Sequence, residues 1–166
     1  MSSSDRRHFL FGLAALPLAA CGFTPAYGPG GAADALRGRV QLRDPVTQDD
    51  FHFVSHMETR IGRAQAAAYD LGYDIATSVQ ASGITATNVT TRYTLNGSAT
   101  WSLTDRASGA RIAGGTVRGF TSWSATGTTI AGLAAQEDAS RRLMVMLGDQ
   151  IVTRLIAASP NLPSSP

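Results

Sequence analysis

This 166-residue chain has no lysine, a single cysteine and only 16% charged residues. A typical globular chain carries roughly 25%, so the surface is unusually short of charge. One cysteine excludes an internal disulfide framework and any zinc site built on several thiolates. All 14 basic residues are arginine, set against 12 acids and scattered along the chain. No arginine cluster dominates one segment, so the electrostatic footprint of a nucleic-acid binder is missing. No apolar run reaches the ~20 residues that a membrane-crossing helix needs. No Gly-x-Ser-x-Gly elbow stands between a strand and a helix, and the glycines around Gly109 and Gly114 lack the strand-to-helix setting of a phosphate cradle. His52 and His56 have the i, i+4 spacing of a metal pair, but Arg60 and Arg63 crowd the same helical face and repel a cation. No catalytic, metal or cofactor-binding residue is therefore assigned.

What is present begins at the N-terminus. Arg6 and Arg7 precede the uncharged run Phe9–Ala20, which ends in Leu18-Ala19-Ala20-Cys21. A basic start, a short apolar stretch and small residues at a cut site describe an export signal over residues 1–20. Its end resembles the lipobox of bacterial lipoproteins. That resemblance implies a diacylglyceryl group on the Cys21 sulfur, cleavage before Cys21 and acylation of the new amine, with fatty acyl chains such as palmitate. Two or more buried chains make a stable anchor, whereas one is marginal. Arg6-Arg7-His8-Phe9-Leu10 resembles the twin-arginine export motif, with Asp5 where that motif prefers Ser or Thr, so both export routes stay open. Taking Arg6, Arg7 and Asp5 from the 14 arginines and 12 acids leaves 12 against 11, a mature charge near +1.

Gly22–Ala33 holds Pro25, Pro29 and several glycines and reads as a tether. Val40 and Leu42 alternate in a short strand over residues 38–43, stopped by Asp44-Pro45. Asp49 and Asp50 are N-cap candidates for a helix over 51–63, with Phe53, Val54, Met57 and Ile61 on its apolar face. Tyr69, Leu71, Tyr73, Ile75 and Val79 alternate with mostly polar residues, which predicts a strand with one buried face, ended near Ser82-Gly83. Tyr93, Leu95, Gly97, Ala99, Trp101 and Leu103 repeat the pattern. Asn96-Gly97 is a hairpin signal, but the alternation crosses it without slipping, which favours one long strand over a hairpin. Asp105–Gly109 is the better turn. In the strand 111–123, Ile112, Val117, Phe120 and Trp123 do not keep one parity. Either Gly114-Gly115 forms a bulge, or the strand has two partly apolar faces, one awaiting a partner. A long helix from Ile130 or Leu133 to Ala157 carries Met144, Leu147, Ile151 and Leu155 as its core stripe.

This order predicts an α+β two-layer fold, with two helices packed on one face of a four-stranded, mostly antiparallel sheet whose other face is rich in Ser and Thr. Residues 1–20 are read as a signal peptide, 21–37 as lipidated N-terminus and tether, 38–158 as one domain and 159–166 as a disordered tail.

Cys21-Gly22-Phe23-Thr24-Pro25-Ala26-Tyr27, Thr91-Arg92-Tyr93-Thr94-Leu95, Gly115-Thr116-Val117-Arg118-Gly119-Phe120-Thr121 and Asp149-Gln150-Ile151-Val152-Thr153-Arg154-Leu155, taken in this order, resemble the LptE family of lipopolysaccharide-assembly lipoproteins. The resemblance covers essentially all of Cys21–Ala158. It implies a non-enzymatic protein on the outer membrane, lipid-anchored and facing the periplasm and a barrel lumen; Gly22 in place of Asp after the cysteine agrees with that sorting. It implies an LptD-type β-barrel as partner, which the protein plugs and helps to assemble, and lipopolysaccharide as ligand, with no cofactor and no nucleic acid. Basic residues tied to lipopolysaccharide in the family lie in the loop between the second and third strands and at the start of the last helix. Here residues 83–88 and 134–138 carry no arginine. Arg92, Arg106 and Arg111 are the nearby substitutes for ligand binding. An auxiliary lipoprotein of a lipid-transporting ABC system is the alternative reading.

Overall fold

The computed structural model describes residues 26–28, 31, 33–84, 90–125, 128–159 and 162. The expected signal peptide, Cys21, the loop at 85–89 and nearly all of the expected tail lie outside the described residues. In chain order the elements are β1 (Val40–Leu42), α1 (Gln48–Ile61), β2 (Tyr69–Ile84), β3 (Thr90–Asp105), β4 (Arg111–Ser124) and α2 (Thr129–Ala158). The sheet order is β1-β2-β3-β4. β1 runs parallel to β2, while β2, β3 and β4 form an antiparallel meander. The two-helix, four-strand α+β architecture is the one the hydrophobic pattern predicts.

β3 is one 16-residue strand that passes through Asn96-Gly97 without turning. Gly97 is there for closeness rather than for a turn: an added Cβ would lie 2.6 Å from Leu143 Cδ2 of α2. The absence of a side chain lets the helix settle onto the sheet. On either side of it Leu95, Ala99, Trp101 and Leu103 are buried, and they meet Leu143, Met144, Leu147, Ile151 and Leu155 from α2. Each large side chain buried here contributes about 1.5–3 kcal/mol. Phe53, Met57 and Ile61 of α1 complete the core over Tyr69, Leu71 and Tyr73. The two helices run in the same direction, because Gln48 meets Glu137, Asp49 meets Ser140 and His56 meets Asp149.

Five local expectations are corrected. The N-cap of α1 is Thr47, not Asp49 or Asp50. Thr47 Oγ1 accepts from the Asp50 N–H at 3.1 Å, and the Asp50 carboxylate accepts from the Thr47 N–H at 3.2 Å. This reciprocal box satisfies two N–H groups that a lone acid would leave open. The helix stops at Ile61 because Gly62 adopts φ 79° as its C-cap, donating its N–H to Glu58 O. The bulge of β4 falls between Ala113 and Arg111, not at Gly114-Gly115, which pair regularly with Ser102 and Trp101. β2 continues past Ser82-Gly83 to Ile84, with register shifts around Gly83. At the N-terminal side, Leu36 of the segment expected as tether is fully buried in the core, and turn hydrogen bonds hold residues 33–39 beside the end of α1.

Candidate functional site

The fold gives the sheet one roofed and one open face. Period-2 geometry sends Leu95, Gly97, Ala99, Trp101 and Leu103 of β3 towards the helices and Thr94, Asn96, Ser98, Thr100 and Ser102 the other way. Register places Ser82 beside this second set at one end and Thr116 near its middle. The polar side chains partly satisfy one another. Thr100 Oγ1 and Thr116 Oγ1 share a 3.1 Å hydrogen bond, Thr94 Oγ1 donates to Ser82 Oγ at 3.0 Å, and Asn96 Nδ2 donates to Gln80 Oε1 at 3.3 Å. Among the residues whose side chains are described, the one large apolar residue on the open face is Phe120, paired with Asn96 and 67% exposed. Its neighbours Val117 and Trp123 are buried on the roofed face. β4 therefore has two partly apolar faces, the second of the two readings its parity allows.

The three arginines proposed from sequence do not converge. Arg92 stands at the start of β3, opposite Ser124, and is exposed. Arg106 lies in the turn after β3, twelve or more residues along, so roughly 40 Å separates the two ends at the usual rise per residue. Arg106 Nε is 3.2 Å from Asp70 Oδ2, both half-exposed. Arg111 opens β4 at the same end, and its guanidinium lies over Gly114, where an added Cβ would be 2.1 Å away. Asp105 holds that turn: its carboxylate accepts from the Ser108 N–H and hydroxyl, each at 2.7 Å, and this keeps its pKa below the usual carboxylate value.

On the helical side, Asp149 Oδ1 of α2 lies 2.9 Å from His56 Nε2 and 3.2 Å from Arg60 of α1, and Arg60 also donates to Tyr27 Oη at 2.8 Å. His56 is thus engaged in helix packing rather than paired with His52. Among the described residues there is no group of three or more His, Cys, Asp or Glu side chains placed to hold a metal. Tyr73 is held over α1 by its hydroxyl, which donates to Arg43 O at 3.3 Å, and burial pushes its phenol above the usual range.

Sequence reading missed one pattern on α2. Arg142, Gln150 and Arg154 donate to the carbonyls of Ser122, Arg118 and Thr116 along β4, at 3.3, 3.0 and 3.0 Å. These helix positions recur at about two and one turns, which is the signal that would have placed them on one stripe.

The fold and its exposed surface define a two-layer α+β domain with a long, hydroxyl-lined open sheet face. The chain belongs to the LptE family, described as lipopolysaccharide-assembly, whose profile matches residues 33–155. No curated protein matches it significantly. The fold is shared with a candidate lipoprotein of Caulobacter crescentus CB15 (TM-score 0.64, 22% identity, 80% of this chain and 98% of that one). It is also shared with the uncharacterized lipoprotein B of Nitrosomonas europaea (0.60, 14%, 84% and 93%). A third neighbour is the rare lipoprotein B of Shewanella oneidensis (0.58, 11%, 76% and 98%). No helix among the described residues is long and apolar enough to cross a membrane.

Proposed function

We propose that this protein is an outer-membrane lipoprotein, anchored through Cys21, that fills the lumen of the lipopolysaccharide-translocating β-barrel, helps that barrel assemble and aids delivery of lipopolysaccharide to the outer leaflet, without catalysis. Family membership supports the lipopolysaccharide-assembly role. The observation that carries the barrel reading is the open sheet face. Its hydroxyls and amides pair among themselves, and Asp74 and Arg118, opposite Thr100 and Ser98, are the charges near its middle. Such a surface suits a wet barrel interior, whose lining is polar, better than lipid or a dry core. The guanidinium groups of Arg92, Arg111 and the ion-paired Arg106 supply the bidentate donors that lipid phosphates favour. Because Arg92 lies at one end of the sheet and the other two at the opposite end, they serve separate phosphate contacts rather than one pocket.

Affinity purification of the full chain after mild detergent extraction of its membranes tests this reading. Recovery of a large outer-membrane β-barrel is expected, together with reduced surface lipopolysaccharide after depletion. Recovery of an inner-membrane transporter complex instead would move the protein to the ABC-auxiliary class. Intact-mass measurement of the extracted chain should show a modified N-terminal Cys21; an unmodified cysteine refutes the anchor.

A further inference from the structure

The two edges of the sheet are treated differently. β4 is an edge along its whole length, and α2 caps its outward carbonyls at Thr116, Arg118 and Ser122 with Arg154, Gln150 and Arg142. β2 is covered by β1 only from Tyr69 to Leu71. Leu71 O accepts from Arg43 N, the last such bond. By strand alternation the N–H and C=O groups of Tyr73, Ile75, Thr77, Val79 and Ala81 then point outward. Among the described residues nothing hydrogen-bonds them. That leaves a free edge of about 27 Å at the usual rise.

Apart from Asp74 near its start, the usual protections are missing from this edge. Ile75–Ile84 contains no charged residue and no proline, and its only irregularity is the register shift at Gly83 near its end. An exposed, uncharged, strand-forming edge is a template for pairing. On the helical side Val79 stays half-exposed, in a cleft it shares with Gln48, Asp49 and His52 of α1 and Leu133 of α2. Val79, 50% exposed, and Leu133, 64% exposed, line a groove there with Tyr93 and Trp123. At the lower end, where β1 leaves, a cleft is lined by the exposed Asp74, by Asp49, which accepts from Ser140, and by the buried Asp50, which is ion-paired to Arg43 at 3.7 Å.

We infer that the free edge of β2 is a docking site for an extended strand of another polypeptide, one with basic residues at the end that meets Asp74 and Asp49 and apolar residues at alternate positions facing Val79 and Leu133. Backbone pairing supplies the affinity and the two clefts supply the selection. A second copy of this chain is a poor occupant. β2 has no basic residue to set against the acids, and the β4 edge of a copy is already capped by α2. The inference rests on the edge alone and does not depend on the reading of the open face.

The test uses the full chain, isotope-labelled in detergent, and a synthetic ten-residue peptide with two arginines followed by alternating valine and threonine. Saturable binding is expected, with amide exchange at Ile75, Thr77, Val79 and Ala81 slowed by about tenfold or more and that of β4 unchanged. Replacing the arginines of the peptide by glutamates should weaken binding severalfold. Thr77→Pro removes one outward N–H without touching the β2–β3 ladder and should weaken it by about tenfold. If that variant does not fold, Val79→Lys serves the same purpose by placing a charge in the apolar groove. No saturable binding, binding centred on Thr100 and Thr116 of the open face, or concentration-dependent pairing of β2 between copies without peptide would each overturn the inference.

Discussion

The two faces of β3 share one backbone and one period, yet they do different work. Towards the helices, Leu95, Ala99, Trp101 and Leu103 are at most 6% exposed and close-packed. Away from them, beside Ser98 and Ser102, Thr94, Asn96 and Thr100 bond sideways to neighbouring strands, and no other element among the described residues packs over them. The first face supplies the folding free energy. The second adds little to it and is free to serve a partner. Substitutions on the two faces should therefore separate folding from association.

The largest effects should come from the roofed face. Leu71→Ala and Leu95→Ala, 1% and 6% exposed, should each cost about 2–5 kcal/mol in denaturant melts, because each leaves a cavity. Gly97→Ala inserts a methyl group against the fully buried Leu143 and should cost about 1–3 kcal/mol. Equal, small losses for all three would mean that the faces are reversed. On the open face, Thr100→Ala should stay within about 0.5 kcal/mol. The smallest effect concerns pH. Hydrogen bonds from Ser108 hold the Asp105 pKa below its ordinary value, so the folded state favours the carboxylate. Its contribution is complete above the unfolded pKa and is lost as pH falls through the lowered, folded one. A side-chain NMR titration should place the Asp105 midpoint below that of Ser108→Ala; identical midpoints would remove Ser108 as the cause.

Most of the fold is legible in the sequence because most of its signals are periodic. The alternation from Tyr93 to Leu103 outweighs the hairpin dipeptide Asn96-Gly97, and the structure explains why a glycine stands there: Leu143 needs the space. What escapes is set by contacts distant in sequence or by local hydrogen bonds without a period. Thr47 outcompetes two acids as a cap because it pairs with Asp50. Leu36 lies in a stretch flanked by glycines, and only docking beside α1 shows it to be core. The candidate site is legible as a face but not as a cluster. Ser and Thr at alternate positions define the surface, whereas strand length decides that Arg92 lies far from Arg106 and Arg111. The free edge of β2 depends on how far β1 pairs, and three residues of β1 do not announce that by themselves.

The central claim is that the open face is a partner surface. Thr100 is exposed in the middle of it, so Thr100→Glu should leave the melting curve of the purified chain close to that of the wild type. Inside a barrel the same carboxylate would be desolvated without a partner, a cost of several kcal/mol. The direct measurement is the amount of outer-membrane β-barrel that co-purifies with the full chain, compared between wild type and Thr100→Glu at equal expression. The account predicts ready recovery with the wild type and a severe loss with the variant, both chains being folded. Equal recovery of barrel by the two, or none by either, would contradict it.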